Sequence, residues 1–309
     1  MMNASDNLAA LIYLKNKVHK WKNVAILFAA ISFILFLRFI AGGDLSDGIP
    51  EGDYIADVRI EGVIFEDEHR DKILEKVAGD KSAKAAIITI DSPGGGIVGS
   101  EVLFENLKKI AANKPIVVVM GSVSASGGYM AAVASDYIIA RNGTLTGSIG
   151  VLMQSTEFTN LAEKIGVTFK NYKSSPLKGS PSSFEKSNPE VDRVINDSIK
   201  DSYEFFAGLV IERRGNKLPT NTEHVLDGRV FTGRQALKVG LIDEIGGKDQ
   251  ALSYLLKAHK IDIKNLPVKQ IVTSKKETKF LDKFVGMLPF FQEAKSLHSE
   301  HEIMAIVPF

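Results

Sequence analysis

The hydrophobic pattern along the chain changes character twice. From Val24 to Leu37 there is no charged residue, and the apolar stretch resumes at Phe39 after the single Arg38. No polar face interrupts it, so residues 24–41 predict one transmembrane helix near the lower length limit for crossing the hydrocarbon core. Residues 42–53 are rich in Gly, Pro and acids and predict a linker. Beyond them short apolar runs alternate with helical patterns. Tyr54 to Ile60 alternates apolar and polar positions and predicts a strand. Asp67 to Ala78 is helical in pattern, and Ala85 to Ile90 is a β-branched run that predicts a buried strand. A helix from Val98 carries Val102, Leu103, Leu107 and Ile110 on one face, and Pro115 to Met120 and Tyr137 to Ala140 predict two further strands. This β-α-β succession predicts an α/β fold with parallel pairing and right-handed crossovers.

The later part of the chain is less regular. Lys164 to Pro189 is a polar stretch rich in Ser and Pro and predicts a long surface excursion. Val191 to Arg214 predicts a long helix broken at Gly215, and Thr278 to Leu288 an amphipathic one with Phe280, Phe284, Met287 and Leu288 on one side. The pattern divides the chain into a leader (1–23), an anchor (24–41), a linker (42–53), a body (54–265) and an extension (266–309) suited to an oligomer contact.

Charge orients the anchor. Lys15, Lys17, Lys20 and Lys22 precede the span, with Trp21 at an interfacial position, and Asp44, Asp47, Glu51 and Asp53 follow it. That asymmetry predicts a cytoplasmic leader and a body on the outer side of the inner membrane. A cleaved signal peptide is the competing reading, with Ile40–Gly43 as its small-residue region; the length of the apolar run and of the leader favours a retained anchor. The chain as a whole has 38 basic and 37 acidic side chains, a formal charge of +1, which leaves no nucleic-acid footprint. The absence of cysteine excludes thiol catalysis and disulfides. The six histidines show no metal-binding spacing, so neither a metal nor a cofactor is expected.

Candidate chemistry gathers in two Gly-rich loops. Asp91-Ser-Pro-Gly-Gly-Gly96 follows one predicted strand and Gly121-Ser-Val-Ser-Ala-Ser-Gly-Gly128 the next parallel one. Both loops therefore fall at the carboxyl ends of neighbouring strands, where α/β folds bind ligands. If a helix begins just after Ser126, its first amides point at any developing oxyanion, which favours Ser126 over Ser122 and Ser124 as a nucleophile. Gly127 and Gly94 are then the amide donors, with Gly95 a close rival to Gly94. The plainer alternative is that Ser126 only caps the helix.

Serine needs a base. His69, His224 and His259 are distant in sequence from both loops, whereas the polar excursion offers Lys170, Lys173 and Lys178. A lysine base works only when neutral, which asks for a fall in pKa from ~10.4 toward about 7 to 8. No acid lies between Glu163 and Glu185, so the excursion is suitable material for a neutral amine.

The set Asp91–Gly96, Ser124-Ala-Ser-Gly-Gly-Tyr129, Leu145-Thr-Gly-Ser-Ile-Gly-Val151, Asp227-Gly-Arg-Val-Phe-Thr-Gly233 and Ala236–Gly246 resembles the signal peptide peptidase A family over roughly residues 54 to 265. The resemblance implies a Clp/crotonase-like fold with repeated β-β-α-type units and a serine-lysine dyad. By motif the nucleophile falls on Ser126, the base on Lys178, the oxyanion glycine on Gly94 and a lysine-orienting serine on Ser148. Ser175 and Leu177 depart from the family's usual Gly and aromatic, which keeps Lys173 as an alternative base, and Asp91 stands where many relatives have Asn, an exchange expected to affect loop geometry. The implied partners are the bilayer, remnant signal peptides and other short apolar peptides, and further copies of the chain in a ring whose neighbours share active sites. Three other functions fit parts of this pattern: a protease of a stomatin-like membrane partner, a crotonase-like acyl-CoA enzyme, and an inactive peptide-binding scaffold.

Overall fold

The computed structural model describes residues 15, 17–18, 21–23, 26–34, 52–273 and 304–306. The chain divides into two units, Met1–Ile49 and Pro50–Phe309. In the first, residues 26–34 are helical and exposed; the rest of the expected span, 24–25 and 35–41, lies outside the described residues. Among the described residues no helix is long and apolar enough to cross a membrane. The amphipathic segment 278–288 also falls outside them.

The second unit is an α/β body. Its central strands are β1 (Tyr54–Glu61), β2 (Ala83–Ser92) and β4 (Ile116–Ala125), with the short β3 (Gly94–Gly96) between the last two. Helix α1 (Glu68–Gly79) links β1 to β2, and α2 (Ile97–Asn113) links β3 to β4. After β4 come α3 (Gly127–Ala132), β5 (Tyr137–Ala140), β6 (Leu145–Gly147) and α4 (Thr159–Lys164). The chain continues through α5 (Pro189–Arg214), β7 (Val230–Thr232), α6 (Gly233–Lys238), β8 (Glu244–Ile245), α7 (Lys248–His259), β9 (Val268–Ile271) and β10 (Met304–Ile306). The main sheet runs β7-β6-β4-β2-β1-β9, with β5 paired to β4 and β8. Every pair is parallel except β6–β7. β9, in the segment expected to be an extension, instead supplies an edge strand of this sheet.

Helices cover both faces of the central strands, which is why those strands are apolar almost without alternation. Val58, Ile88 and Val118 stand side by side on one face and pack with Leu74, Leu103, Leu107, Phe206 and Val210 from α1, α2 and α5. Ile55, Ile87, Val117 and Ile139 form the other face, under Ala251 and Leu255 of α7. Helix α1 starts where Asp67 accepts from the amides of His69 and Arg70, and α5 where Asn188 accepts from Glu190 and Val191.

The long β4 pairs with β5 over Val117–Val119 and with β6 over Val123–Ala125. It outruns the expected strand because the Asp91 carboxylate accepts the Val123 amide at 3.0 Å and carries the chain past a bulge. The turn after β4 then meets β3 and α2 at backbone distance. A Cβ on Gly127 would lie 2.1 Å from Ser100 Oγ, and one on Gly128 2.8 Å from the Ser92 carbonyl.

Helix α3 is short and is tied from behind. Arg213 donates to the carbonyls of Val133 at 2.9 Å and Ala134 at 3.1 Å. Tyr129 Oη donates to the Leu241 carbonyl at 2.8 Å. Next to it Arg214, 1% exposed, makes paired bonds of 2.9 and 3.1 Å to Asp243, which also accepts the Ile138 amide at 2.8 Å. Burial pushes the Asp243 carboxyl up, but Arg214, Lys217 and the Ile138 amide together hold it below the usual carboxylate range.

Two outcomes follow from this packing. Arg214→Met leaves the Asp243 carboxylate with the partly exposed Lys217 and the Ile138 amide as partners and should cost about 3 kcal/mol in urea unfolding at pH 7. A depressed carboxyl stabilises above its unfolded pKa of ~3.9 and ceases to as pH falls through its folded value, so the gap between variant and parent should close in acid. Gly127→Ala should destabilise by about 1–3 kcal/mol through overpacking, and Ser100→Gly in the same chain should recover much of that loss by clearing the side chain the methyl meets.

Candidate active site

Ser126 sits between β4 and α3 with φ 54° and ψ −121°, a backbone conformation that non-glycine residues rarely adopt. Its amide donates to the Gly147 carbonyl at 2.8 Å, which fixes the turn against β6. The side chain makes no cap bond to α3, and among the described residues nothing hydrogen-bonds its hydroxyl, although the residue is 1% exposed. The plain capping role is thereby removed. The two neighbouring serines differ from it. Ser122 is exposed, and the buried Ser124 donates its hydroxyl to the Gly128 carbonyl at 3.3 Å. A sharp, strained strand-to-helix turn that presents an unengaged hydroxyl is the geometry of a nucleophile.

The amides around it are unequal. Gly94 N–H donates to Ser92 Oγ at 3.1 Å within the loop, and the Gly94 carbonyl accepts from Ile64 at 2.8 Å. Gly94 is therefore not a free donor. Gly95 N lies 3.2 Å from the point a Cβ on Gly127 would occupy, so the Gly95 amide stands beside the Ser126–Gly127 turn. The amides beside the Ser126 turn are thus those of Gly95 and Gly127, while the Gly94 amide is engaged by Ser92. The Ser-Pro-Gly spacing held the signal, since a serine hydroxyl readily takes an amide two residues on.

Ser148 is brought to the same place. Ala125 pairs with Gly147 across β4–β6, and Ser148, with φ 49°, donates its amide to the Arg229 carbonyl at 2.8 Å. Thr146, a residue the sequence did not single out, fastens the same corner by donating its hydroxyl to the Ser124 carbonyl at 2.7 Å. Asp91 holds the Val123 amide at the same corner.

The lysines are not brought in. Lys178 lies exposed in the excursion and makes no hydrogen bond to Ser126 or Ser148. Lys173 is ion-paired with Glu185, whose carboxyl is held low by hydrogen bonds from Lys173 and Asn171. Lys173 is thus engaged by a carboxylate of its own excursion and not by the serine turn. Of the histidines, His224 stands 3.9 Å from Asp227, His259 packs edge-on against Tyr254, and His69 lines a cleft of about 790 Å³ that contains none of the site residues. Among the described residues no cluster of His, Cys, Asp and Glu is arranged to hold a metal.

The arrangement resembles known proteases by sequence. The chain is 38% identical over 176 residues to a Synechocystis sp. protein provisionally named protease slr0021, covering 57% of this chain and 63% of that one. It is 37% identical over 190 residues to an Enterococcus faecium protein provisionally named signal peptide peptidase SppA, covering 61% and 55%. Protease 4 of Haemophilus influenzae is 36% identical over 212 residues, covering 64% of this chain and 34% of its own. The match thus spans less than two thirds of each of these relatives. Two solved structures are similar at low identity: a mutant of a membrane-bound stomatin-specific protease (18% identical, TM-score 0.41, covering 73% of this chain and 100% of that one) and a ClpP1 mutant from Listeria monocytogenes (17%, 0.40, 63% and 94%). Residues 108–262, which contain Ser126, Ser148 and Lys178, match the model of peptidase family S49, and the chain belongs to that family.

Proposed function

We propose that this chain is a membrane-anchored serine endopeptidase that degrades remnant signal peptides and other short apolar peptides through a Ser126–Lys178 dyad. The observation that carries the reading is Ser126 itself: a strained, uncapped serine beside the amides of Gly95 and Gly127. In the reaction Ser126 Oγ attacks a peptide carbonyl and its proton passes to Lys178 Nζ. The oxyanion is held by the two amides. The ammonium then gives its proton to the leaving amine, and water releases the acyl group from Ser126. Ser148 orients the amine.

Within one chain Lys178 and Ser126 do not meet, which supports a dyad shared between copies. The excursion around the lysine exposes Ile165, Phe169 and Phe184, and the segment just before it Phe158 and Leu161, apolar surface of the kind that a neighbouring subunit covers. Among the described residues Lys178 has no carboxylate partner, unlike Lys173. The anchor reading rests on the apolar run and the charge asymmetry around it, with the leader in the cytoplasm and the body on the outer side of the inner membrane. Anchoring would concentrate the site where apolar peptides collect.

A fluorophosphonate probe tests the nucleophile directly. Ser126→Ala should abolish labelling and peptide hydrolysis, while Ser122→Ala and Ser124→Ala keep most of both; equal loss from Ser124→Ala in folded protein would reassign the nucleophile. Lys178→Arg and Lys178→Ala should both lack activity, because guanidinium cannot accept the proton and methyl offers no base. Activity should rise with pH as the base becomes neutral. Mixing Ser126→Ala with Lys178→Ala chains should restore activity if neighbours share the dyad, and near-normal turnover by Lys178→Ala alone would remove lysine from the mechanism.

A further inference from the structure

Residues 174–184 form a loop within the excursion, and three successive residues close it. The Ser183 carbonyl accepts the Phe158 amide at 2.8 Å. The Phe184 ring lies 4.2 Å from that of Phe169 and 6.5 Å from that of Phe158, centre to centre. Glu185 then accepts twice: Asn171 Nδ2 donates to its Oε1 at 2.7 Å, and Lys173 Nζ donates to its Oε2. Lys173 is the last residue before the loop and Glu185 the first after it, so their bond lies at the neck. The two side chains are 18% and 34% exposed, against 65% and 67% for the Arg193–Asp197 pair on α5. The better shielded pair is the less screened and the stronger tie.

Lys178 sits inside this loop. Among the described residues the hydrogen bonds of 174–181 are all local. Lys178 N–H donates to the Ser175 carbonyl and Ser180 N–H to the Leu177 carbonyl, both at 3.2 Å, with Gly179 at φ 75° between them. These turns give the tip its shape but do not fasten it to the body. Packing beneath it is open as well: a cavity of about 280 Å³, lined by Met153, Pro176, Pro181, Val191 and Ile195, lies between the loop and the start of α5. The placement of Lys178 is therefore set at the neck. A general base must come within about 2.6–3.2 Å of its partner, and a misplacement of about 1 Å can cost about a hundredfold in rate.

We propose that the Lys173–Glu185 pair is a positioning latch for the base: by closing the neck of the loop it fixes where Lys178 is presented to the serine site. The inference rests on the reading of Lys178 as the base, and it gives the other lysine a role that is not proton transfer. Lys173 and Glu185 act through Lys178 and touch no reacting atom. Hydrogen bonds from Lys173 and Asn171 hold the Glu185 carboxyl below the usual carboxylate range, so the latch is charged and closed throughout neutral pH. Opening it should lower turnover without moving the acid limb of the rate profile, which reports the Lys178 amine.

The test uses full-length chains and a fluorogenic peptide of apolar residues. Lys173→Met and Glu185→Gln should each lower kcat about tenfold with KM little changed, as expected of a displaced base. Their combination should be no worse than either alone, because both remove the same bond. Lys173→Arg keeps a cation for Glu185 and should stay near the parent, whereas guanidinium at a base position abolishes activity. Exchanging the two residues, Lys173→Glu with Glu185→Lys, should recover most of the loss. In Ser126→Ala chains, hydrogen exchange over residues 174–182 should speed up on adding Glu185→Gln, while residues 203–214 of α5 keep their protection, which separates an open loop from a misfolded chain. Parent-like kcat in Glu185→Gln would overturn the proposal, as would a loss confined to KM. An inactive Lys173→Arg chain would make Lys173 the base and overturn it too. If Lys178→Ala retains turnover, the base reading itself fails, and the exchange comparison still decides whether the pair closes the loop.

Discussion

The site depends on a contact that leaves no room for a side chain. The turn carrying Ser126 lies against the β3 loop and the start of α2 so closely that a methyl at Gly127 or Gly128 would meet neighbouring atoms at 2.1 and 2.8 Å respectively, while one at Gly95 would strike the Ile64 carbonyl at 1.8 Å. These glycines serve for their small size, since the adjacent Ser126 carries the unusual backbone angles. Bringing the two turns together sets the Gly95 and Gly127 amides on one side of a single hydroxyl. The β2–β4 pairing supplies the approximate position, and the missing Cβ atoms the last few ångströms.

Such a turn needs support, because a strained residue persists only where its surroundings over-determine it. Support comes from both directions. In front, Ser126 N–H is held by Gly147, and β6 is held in turn by β7 through its antiparallel pairing. Behind, Arg213 satisfies the carbonyls that the end of α3 leaves open, and Tyr129 reaches Leu241 in the segment that also carries Asp243. The Arg214–Asp243 pair joins α5 to β5 through the Ile138 amide. Residues from 127 to 243 therefore converge on one short helix, and the motifs Thr146–Ser148 and Asp227–Gly233 support the serine motif structurally. Their backbone carbonyls and strands set its position.

Much of this was legible in the sequence, and what was not has physical causes. The buried strands and α1, α2 and α5 announced themselves because burial on two faces, or on one helical stripe, writes a strong pattern. β6 and β7 were hidden in motifs rich in Gly, Thr and Arg, where pairing arises from position and apolar patterning is weak. β9 escaped because its pairing partner lies at the far end of the body in sequence. Ser126 was legible as a serine between a strand and glycines. The choice between Gly94 and Gly95 was not, because it turns on the direction of the Ser92 hydroxyl, which bonds back to the Gly94 amide.

The lysine poses the remaining physical problem of the proposed dyad. An exposed amine in water remains protonated, and an exposed excursion has no means of drying it. Desolvation is the change that favours a neutral lysine without a charged neighbour, and it requires apolar surface to close over the amine. Lys178 lies on the same excursion as the uncovered Phe169 and Phe184, and the ring of Phe158, just before the excursion, also packs on Phe184. Surface that closes over those rings can also exclude water from the lysine beside them. In a shared site, assembly and activation of the base would then be one event: the association that delivers Lys178 to a neighbour's Ser126 is the association that removes its solvent. A single chain would hold a prepared nucleophile with no base, and would stay inert until it met its copies.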